Sequence, residues 1–315
     1  MPLSELLDRL RAGHDWARKV LFEQGALLLR GFDALRSGED VESVARIFAP
    51  RLMDYRGGTT VRSQVTKGGV VTASDAPKFF PIGMHQELSY QTRVPARLIF
   101  FCETPPDRGG QTPLADMRAV YRRVPEDVRA RFEQRGCRLQ RLLAPARRRV
   151  GGRTWPEVFG TTDRREVDRL AVERGWEIEW RPGDMLRLLN EVRPATMSHP
   201  VTGERVWFNQ AHLLHPSAVA ADLAGDGRKV AARVAAFVVR LRKGPARYMT
   251  TFGDGSPIPE ADLDAVRAAI RAEMIVFDWQ RGDLLLLDNY LMAHGRRPYR
   301  GRRRILASLL DAEAS

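Results

Sequence analysis

The chain has 315 residues, of which 43% are apolar and 29% charged, so it can bury a sizeable core and is too apolar for a disordered segment. Two cysteines, Cys102 and Cys137, exclude a disulfide framework and a cysteine-built zinc cluster. A formal net charge of +12 raises nucleic acid as a partner, yet the arginines are scattered, their clusters at 147–149 and 302–304 are short, and aromatics are not interleaved with them. No nucleic-acid partner is therefore expected.

Residues 1–11 alternate charge and leucine and lack the apolar run of a leader segment. No stretch approaches the roughly 18 apolar residues that span a bilayer, so a soluble, cytoplasmic protein without a membrane partner is expected. Positions 3–10 read as a short amphipathic helix, with His14 solvated in the same polar N-terminal helical region, and 25–31 as a buried strand closed by glycine. A helix over 39–50 would carry Val41, Val44, Ala45 and Phe48 on one face. From 56 to 105 short β-prone runs are broken by Gly-Gly, Asp-Ala-Pro and Thr-Pro-Pro, the texture of sheet. Cys102 lies in one of these apolar runs, as a buried and inert thiol would.

Residues 116–135 read as helical, with a restart at Val124-Pro125-Glu126-Asp127, where proline and acids suit a helix start. Another helix is expected over 161–175, then a strand over 176–180. The longest apolar-periodic segment, 218–242, is expected as one helix packed on the outside of a sheet. A helix to about 273 follows Pro259, and 274–277, 283–288 and 304–310 read as strands. Strands in blocks with helices between them indicate an α+β fold, its β-core closed or sandwiched. No internal repeat or linker divides the chain, so residues 1–315 are expected to form a single domain.

Of the six histidines, His85 has a carboxylate two residues away, Glu87, in a strand-like segment. Side chains two apart on a strand share a face. His294 follows the leucine-rich strand and an Asp-Asn turn, at a strand edge where sites collect. Two imidazoles and one carboxylate are the ligand set of non-haem Fe(II) oxygenases, with three positions left for a co-substrate and dioxygen. His199, His212 and His215 fall in a loop-rich stretch, where each lines a pocket or satisfies a local hydrogen bond. An acidic co-substrate needs a planar, bidentate donor. Arg303 or Arg304 supplies one from the last strand, and alternation allows only one of the two to point inward. Thr112, after Gly109-Gly110-Gln111, adds a hydroxyl donor to the same carboxylate.

These residues belong to a longer ordered set. Gly83-Met84-His85-Gln86-Glu87-Leu88-Ser89-Tyr90, Gly109-Gly110-Gln111-Thr112-Pro113, Trp207-Phe208-Asn209-Gln210, Trp279-Gln280-Arg281-Gly282-Asp283 and Asp288-Asn289-Tyr290-Leu291-Met292-Ala293-His294-Gly295-Arg296 occur in this order. So does Phe252-Gly253-Asp254-Gly255-Ser256-Pro257-Ile258-Pro259, before the tryptophan block. Together they resemble the taurine dioxygenase (TauD/TfdA) family of Fe(II)/2-oxoglutarate oxygenases. The nearest branch is that of the SyrP-like and clavaminate synthase-like amino-acid hydroxylases, and the likeness runs from about residue 25 to 310.

The resemblance implies a distorted double-stranded β-helix (jelly roll) with flanking helices and a helical insert over roughly 113–245. It implies His85, Glu87 and His294 as iron ligands and Thr112 as a contact to 2-oxoglutarate. The arginine for the distal carboxylate aligns as Arg303 or, with a different register, as Arg304; Arg303 is preferred. Glu87 argues against halogenation, which needs a small residue there. A second arginine four residues on, which holds a substrate acid in some members, is here Ala307 or Ser308. The implied reaction is hydroxylation of an unactivated C–H bond in an amino acid or amino-acid-derived metabolite, free or carrier-bound, as part of natural-product biosynthesis, with dioxygen consumed and succinate and CO2 released. Arg62, Tyr90, Asn209, Gln210 and Arg296 are the candidate substrate contacts. Desaturation, epoxidation or cyclisation would use the same site. A metal-free basic jelly-roll binding module and a zinc hydrolase are readings from other classes; the second leaves Thr112 and both arginines unused.

Overall fold

Leu284, Leu285, Leu286 and Leu287 lie in the strand Leu284–Asp288, and all four are buried although a strand has two faces. The reason is a sheet covered on both sides. In the computed structural model, which describes residues 2–311 except 56–57, 60–61, 148–152, 226 and 242–245, this strand belongs to a five-stranded antiparallel sheet. Its order is Ala26–Leu29, Leu284–Asp288, Arg97–Thr104, Arg304–Leu310 and Val70–Thr72. Leu284, Leu286, Ile99, Phe101 and Leu306 face Leu6, Leu21, Val41, Val44 and Phe48 of the N-terminal helices. Leu285, Leu287, Leu98, Phe100 and Ile305 face inward. Fully burying each such side chain contributes about 2 kcal/mol, so the run anchors both layers.

A second, four-stranded antiparallel sheet shares the inner core. Its order is Met274–Ile275, Leu114–Asp116, Met292–Arg296 and Ile82–His85. Leu114, Ala115, Met292 and Ala293 pack with the inward residues of the five-stranded sheet. The His294 ring lies 5.2 Å from that of Phe100 across the gap. Mixed α and β structure, with antiparallel strands gathered into layers, agrees with the α+β expectation.

Several helices fall close to where the sequence puts them. The helix Gly38–Phe48 starts at Ser37, whose side chain accepts from Asp40 N while Asp40 caps the Ser37 backbone. It buries Val41, Val44, Ala45 and Phe48 as expected. Met117–Arg123 and Glu126–Arg135 break at Val124-Pro125, and Arg164–Glu173 and Glu260–Ala272 match the later expectations to within a few residues. Leu3–Ala12 and His14–Gln24 form the N-terminal pair.

Other elements differ. The expected single helix over 218–242 is two, Ala218–Gly225 and Lys229–Leu241, with Gly227 at φ +76° between them. The second does not bury its apolar stripe: Val230, Val234, Phe237, Val238 and Leu241 are exposed. The stretch 113–245, expected as a helical insert, also holds strands. Among the described residues, Cys137–Leu143 and Met185–Leu189 pair with Glu177–Arg181 and Tyr248–Phe252 in a third sheet. Among the described residues of 56–105 the strands are Val70–Thr72, Ile82–His85 and Arg97–Thr104, and the strand expected over 274–277 is limited to Met274–Ile275. Arg56, Arg148, Arg149 and Arg242, which enter the expected elements and basic cluster, lie outside the described residues. Both cysteines are free and buried, and burial pushes the Cys102 thiol up to about 12. No helix among the described residues is long and apolar enough to cross a membrane.

Candidate active site

His294 and His85 are directly opposed partners in the antiparallel pair of Met292–Arg296 with Ile82–His85. Their rings stand 4.4 Å apart between centroids. Glu87 completes the group: one ligand atom from each of the three lies within 4.8 Å of the others, and His85 Nε2 is 3.9 Å from Glu87 Oε2. The strand ends at His85, however, so Glu87 does not reach the group by simple alternation. It sits in a turn in which Leu88 takes φ +57°, and that turn folds the carboxylate back toward the imidazoles.

Each imidazole is set for ligation in its own way. His85 Nδ1 donates to Gly83 O at 2.9 Å, which assigns the lone pair to Nε2, the nitrogen facing Glu87. Burial, with His85 and Arg62 nearby, holds the His294 imidazole well below its usual range. Its Nδ1 is buried without a partner among the described residues. Two imidazoles and a carboxylate in this spacing fit a divalent first-row metal with open positions.

The turn is clamped by amides from distant sequence. Asn289, fully buried, accepts from Glu87 N at 2.7 Å and donates to Glu87 O at 3.0 Å and Pro95 O at 2.9 Å. Gln86 Nε2 donates to Tyr290 O, and Gln210 Nε2 donates to Gln86 O. Nothing local in the sequence marks Asn289 for this role, since its partner is 202 residues away. Asn289→Ala strands one backbone donor and two acceptors in the interior. A loss of about 2–4 kcal/mol in chemical denaturation is expected, together with weaker metal binding.

On the cleft's other side Arg303 points inward. Its Nε donates to Gly110 O at 2.9 Å and its Nη2 lies 3.4 Å from Thr112 Oγ1, which also accepts from Trp279 Nε1 at 3.0 Å. Thr112, Arg303, His85 and His294 line one cleft. Burial, with Arg296 nearby, lowers the Arg303 guanidinium to about 10, still charged at neutral pH. Gly110 is needed for this approach: it has φ +69°, and a Cβ there would sit 2.8 Å from Pro106 and 3.0 Å from Arg303 Cδ. Arg304 turns the other way, to Glu103 at 2.5 Å, and is half exposed. The structure thus brings Arg303, and not Arg304, to the cleft.

Residues 1–310 match the family described as taurine catabolism dioxygenase TauD, TfdA family. The chain belongs to that family. It is 33% identical over 295 residues to the dapdiamide synthesis protein DdaC of Enterobacter agglomerans, covering 93% of this chain and 84% of that protein. It is equally 33% identical over 296 residues to the clavaminate synthase-like protein At3g21360 of Arabidopsis thaliana, covering 92% and 82%. The crystal structure of PvcB from Pseudomonas aeruginosa shares the fold, with a TM-score of 0.52 at 16% identity over 95% of this chain and 80% of that one. Membership makes this chain a dioxygenase that depends on iron and 2-oxoglutarate.

The TauD/TfdA site leaves several polar candidates in supporting positions. Tyr90, Asn209 and Gln210 line a separate small cavity, away from the two histidines. Asn209 is spent on Ala195 O and Ala211 N. Arg296 does border the metal cleft, but its guanidinium donates to the carbonyls of Ala76, Pro77 and Phe80 and so clasps that loop. Arg62 is different: it contacts Glu87 and its side chain is 4% exposed. His199 pairs with Asp288 at 3.1 Å, and His215 bonds Ser217.

His212 Nε2 donates to Met84 O at 2.8 Å, steadying the ligand strand from outside. Burial lowers its pKa to about 4, against an ordinary value of 6.5. Above pH 6.5 it is neutral both folded and unfolded and has no pH-dependent effect. Between 6.5 and about 4 only the unfolded chain takes the proton, so stability falls with pH by up to about 3 kcal/mol. Denaturation midpoints measured across this window should decline, and His212→Gln should flatten part of that slope.

Proposed function

We propose that His85, Glu87 and His294 hold Fe(II), that Thr112 and Arg303 hold the distal carboxylate of 2-oxoglutarate, and that the enzyme hydroxylates an amino acid or amino-acid-derived metabolite. The observation that carries this reading is the cross-strand pairing of His85 with His294, with Glu87 folded onto them and a buried, charged Arg303 in the same cleft. When bound, iron and 2-oxoglutarate would let dioxygen act as the oxidant, one oxygen atom going to the carbon of an unactivated C–H bond as hydroxyl and the other to 2-oxoglutarate, which would leave as succinate and CO2. The chain itself supplies position. The His294 imidazole, held neutral by burial, accepts the metal without losing a proton, the amide clamp keeps Glu87 aimed, and Arg303 fixes the co-substrate's orientation by its far end. Phe100 and the packed inner core keep bulk water from the face behind His294.

The two antiparallel sheets around this cleft support a distorted double-stranded β-helix, with residues 1–315 as one oxygenase domain and 113–245 as a mixed insert. A relative named for dapdiamide synthesis supports a role in making a small metabolite. The two buried, free cysteines suit a reducing cytoplasm.

Anaerobic titration with Fe(II) and 2-oxoglutarate is expected to give a weak visible charge-transfer band that His85→Ala abolishes. Succinate release against a panel of free amino acids, with mass spectrometry, then identifies the reaction. A gain of one oxygen supports hydroxylation, and a loss of two hydrogens means desaturation instead. A wild-type protein without the band overturns the metal assignment.

A further inference from the structure

Beside the metal cleft lies a cavity of about 390 Å³, bordered among others by Met53, Tyr55, Val71 and Leu309. That is room for a small metabolite. Arg62 borders both spaces and is the wall between them. One of its nitrogens is engaged by Glu87, and its guanidinium lies 4.3 Å over the Tyr55 ring. The other two, Nε and Nη1, are buried with no partner among the described residues. Arg153, on the same cavity, donates Nη2 to Glu157 O and also has a buried Nη1 with no partner among the described residues. Buried guanidinium N–H groups without acceptors are costly, and native interiors rarely keep them. Both guanidinium groups border one cavity, so an anionic ligand entering it is placed to satisfy these N–H groups after a small side-chain turn.

The charge of the wall narrows the class. Asp54 and Glu157 border the cavity along with the two arginines, and Arg62 is also paired with Glu87, so the wall carries no surplus of positive charge. A dianionic phosphate is poorly matched by that balance. A zwitterion is matched well, its carboxylate toward the arginines and its ammonium toward the acids.

We propose that this cavity is the substrate chamber and that Arg62 anchors a free carboxylate of an amino-acid substrate there, with Arg153 as a second donor. The assignment rests on the metal-site reading above. Because Arg62 touches Glu87, a carboxylate seated on it holds the neighbouring carbons beside the metal ligands. Arg62 is then a specificity-determining residue. An acid tethered to a carrier as a thioester through that carboxyl has no anion to offer, so the chamber selects the free acid.

The test is calorimetric titration of wild-type protein, loaded with Mn(II) and 2-oxoglutarate, with the proteinogenic L-amino acids and their carboxamides. At least one amino acid is expected to bind, its carboxamide about 30-fold or more weaker. Arg62→Gln is expected to erase that discrimination, Arg62→Lys to restore part of it, and Arg153→Gln, which leaves Glu87 untouched, to weaken the acid alone. No binding by any acid, equal binding of acid and amide, or unaltered discrimination in Arg62→Gln overturns the assignment. Should Arg62→Gln fail to fold, the acid-amide comparison in wild type and the Arg153→Gln result decide. Mn(II) and 2-oxoglutarate binding, measured first on the same wild-type sample, reports separately on the metal site.

Discussion

His294→Ala is expected to lower 2-oxoglutarate turnover by about three orders of magnitude or more, and to leave less than about a tenth of the bound metal. The basis is the small number of donors: the proposed site has three protein ligands, and loss of one leaves an imidazole and a carboxylate that many surface pairs would match. The imidazole is buried, neutral and directly opposed to His85, so no neighbouring side chain is placed to replace it. The other buried histidines are committed elsewhere, His199 to Asp288 and His212 to Met84 O. Metal analysis after dialysis, beside succinate release, checks the expectation. Near-normal metal content in the variant would sink it. His215→Ala is the control, and its turnover should stay within about twofold of wild type, since His215 lies away from the cleft against Ser217.

The second large effect separates two adjacent arginines. Arg303→Leu is expected to raise the KM for 2-oxoglutarate by about 100-fold or more, whereas Arg304→Gln changes it by no more than about twofold. Arg303 is buried beside Thr112, its charge undiluted by solvent, and its removal leaves the co-substrate's far carboxylate without a counter-ion. Arg304 makes one half-exposed pair with Glu103, and such pairs are worth about 0–1 kcal/mol. Initial rates over a range of 2-oxoglutarate concentrations distinguish the variants. Equal effects from both would mean that the cleft does not hold the co-substrate.

That same pair marks how far the sequence could be read. Alternation dictates that Arg303 and Arg304 diverge, but which one turns inward depends on where the strand begins and on the irregular register between Arg304 and Ile305. Neither is a property of local residue type. The His85–Glu87 spacing marked two side chains that do meet in space, yet for an incomplete reason, because the strand stops at His85 and a turn completes the approach. Asn289 and Gln210 were harder still. Their bonds to the ligand turn join residues 202 and 124 apart, and an amide in sequence carries no sign of such a partner. Helices with one buried face, such as Gly38–Phe48, were found because periodicity and a capping serine agree. The segment 218–242 misled because apolar period suggests burial, while the glycines near 225–227 split it and its second half presents that stripe to solvent. The strand Cys137–Leu143 alternates buried and half-buried positions along its whole length, a signal present in the sequence but masked by its arginines.

Pairing of residue 294 with residue 85 also governs where this chain tolerates change. The strands that align the two histidines are 82–85, 114–116, 274–275 and 292–296, so the parts of 117–273 that do not bond to them, unlike Gln210 and His212, can lengthen, shorten or be exchanged without altering that alignment. Deleting one residue from 286–293 is a different matter, since it would turn the C-terminal imidazole to the opposite side of its sheet. The scaffold therefore separates a fixed chassis for the metal from a housing that supplies one side of the chamber, Arg153 and Glu157, and reactant shape can be retuned there without rebuilding the first.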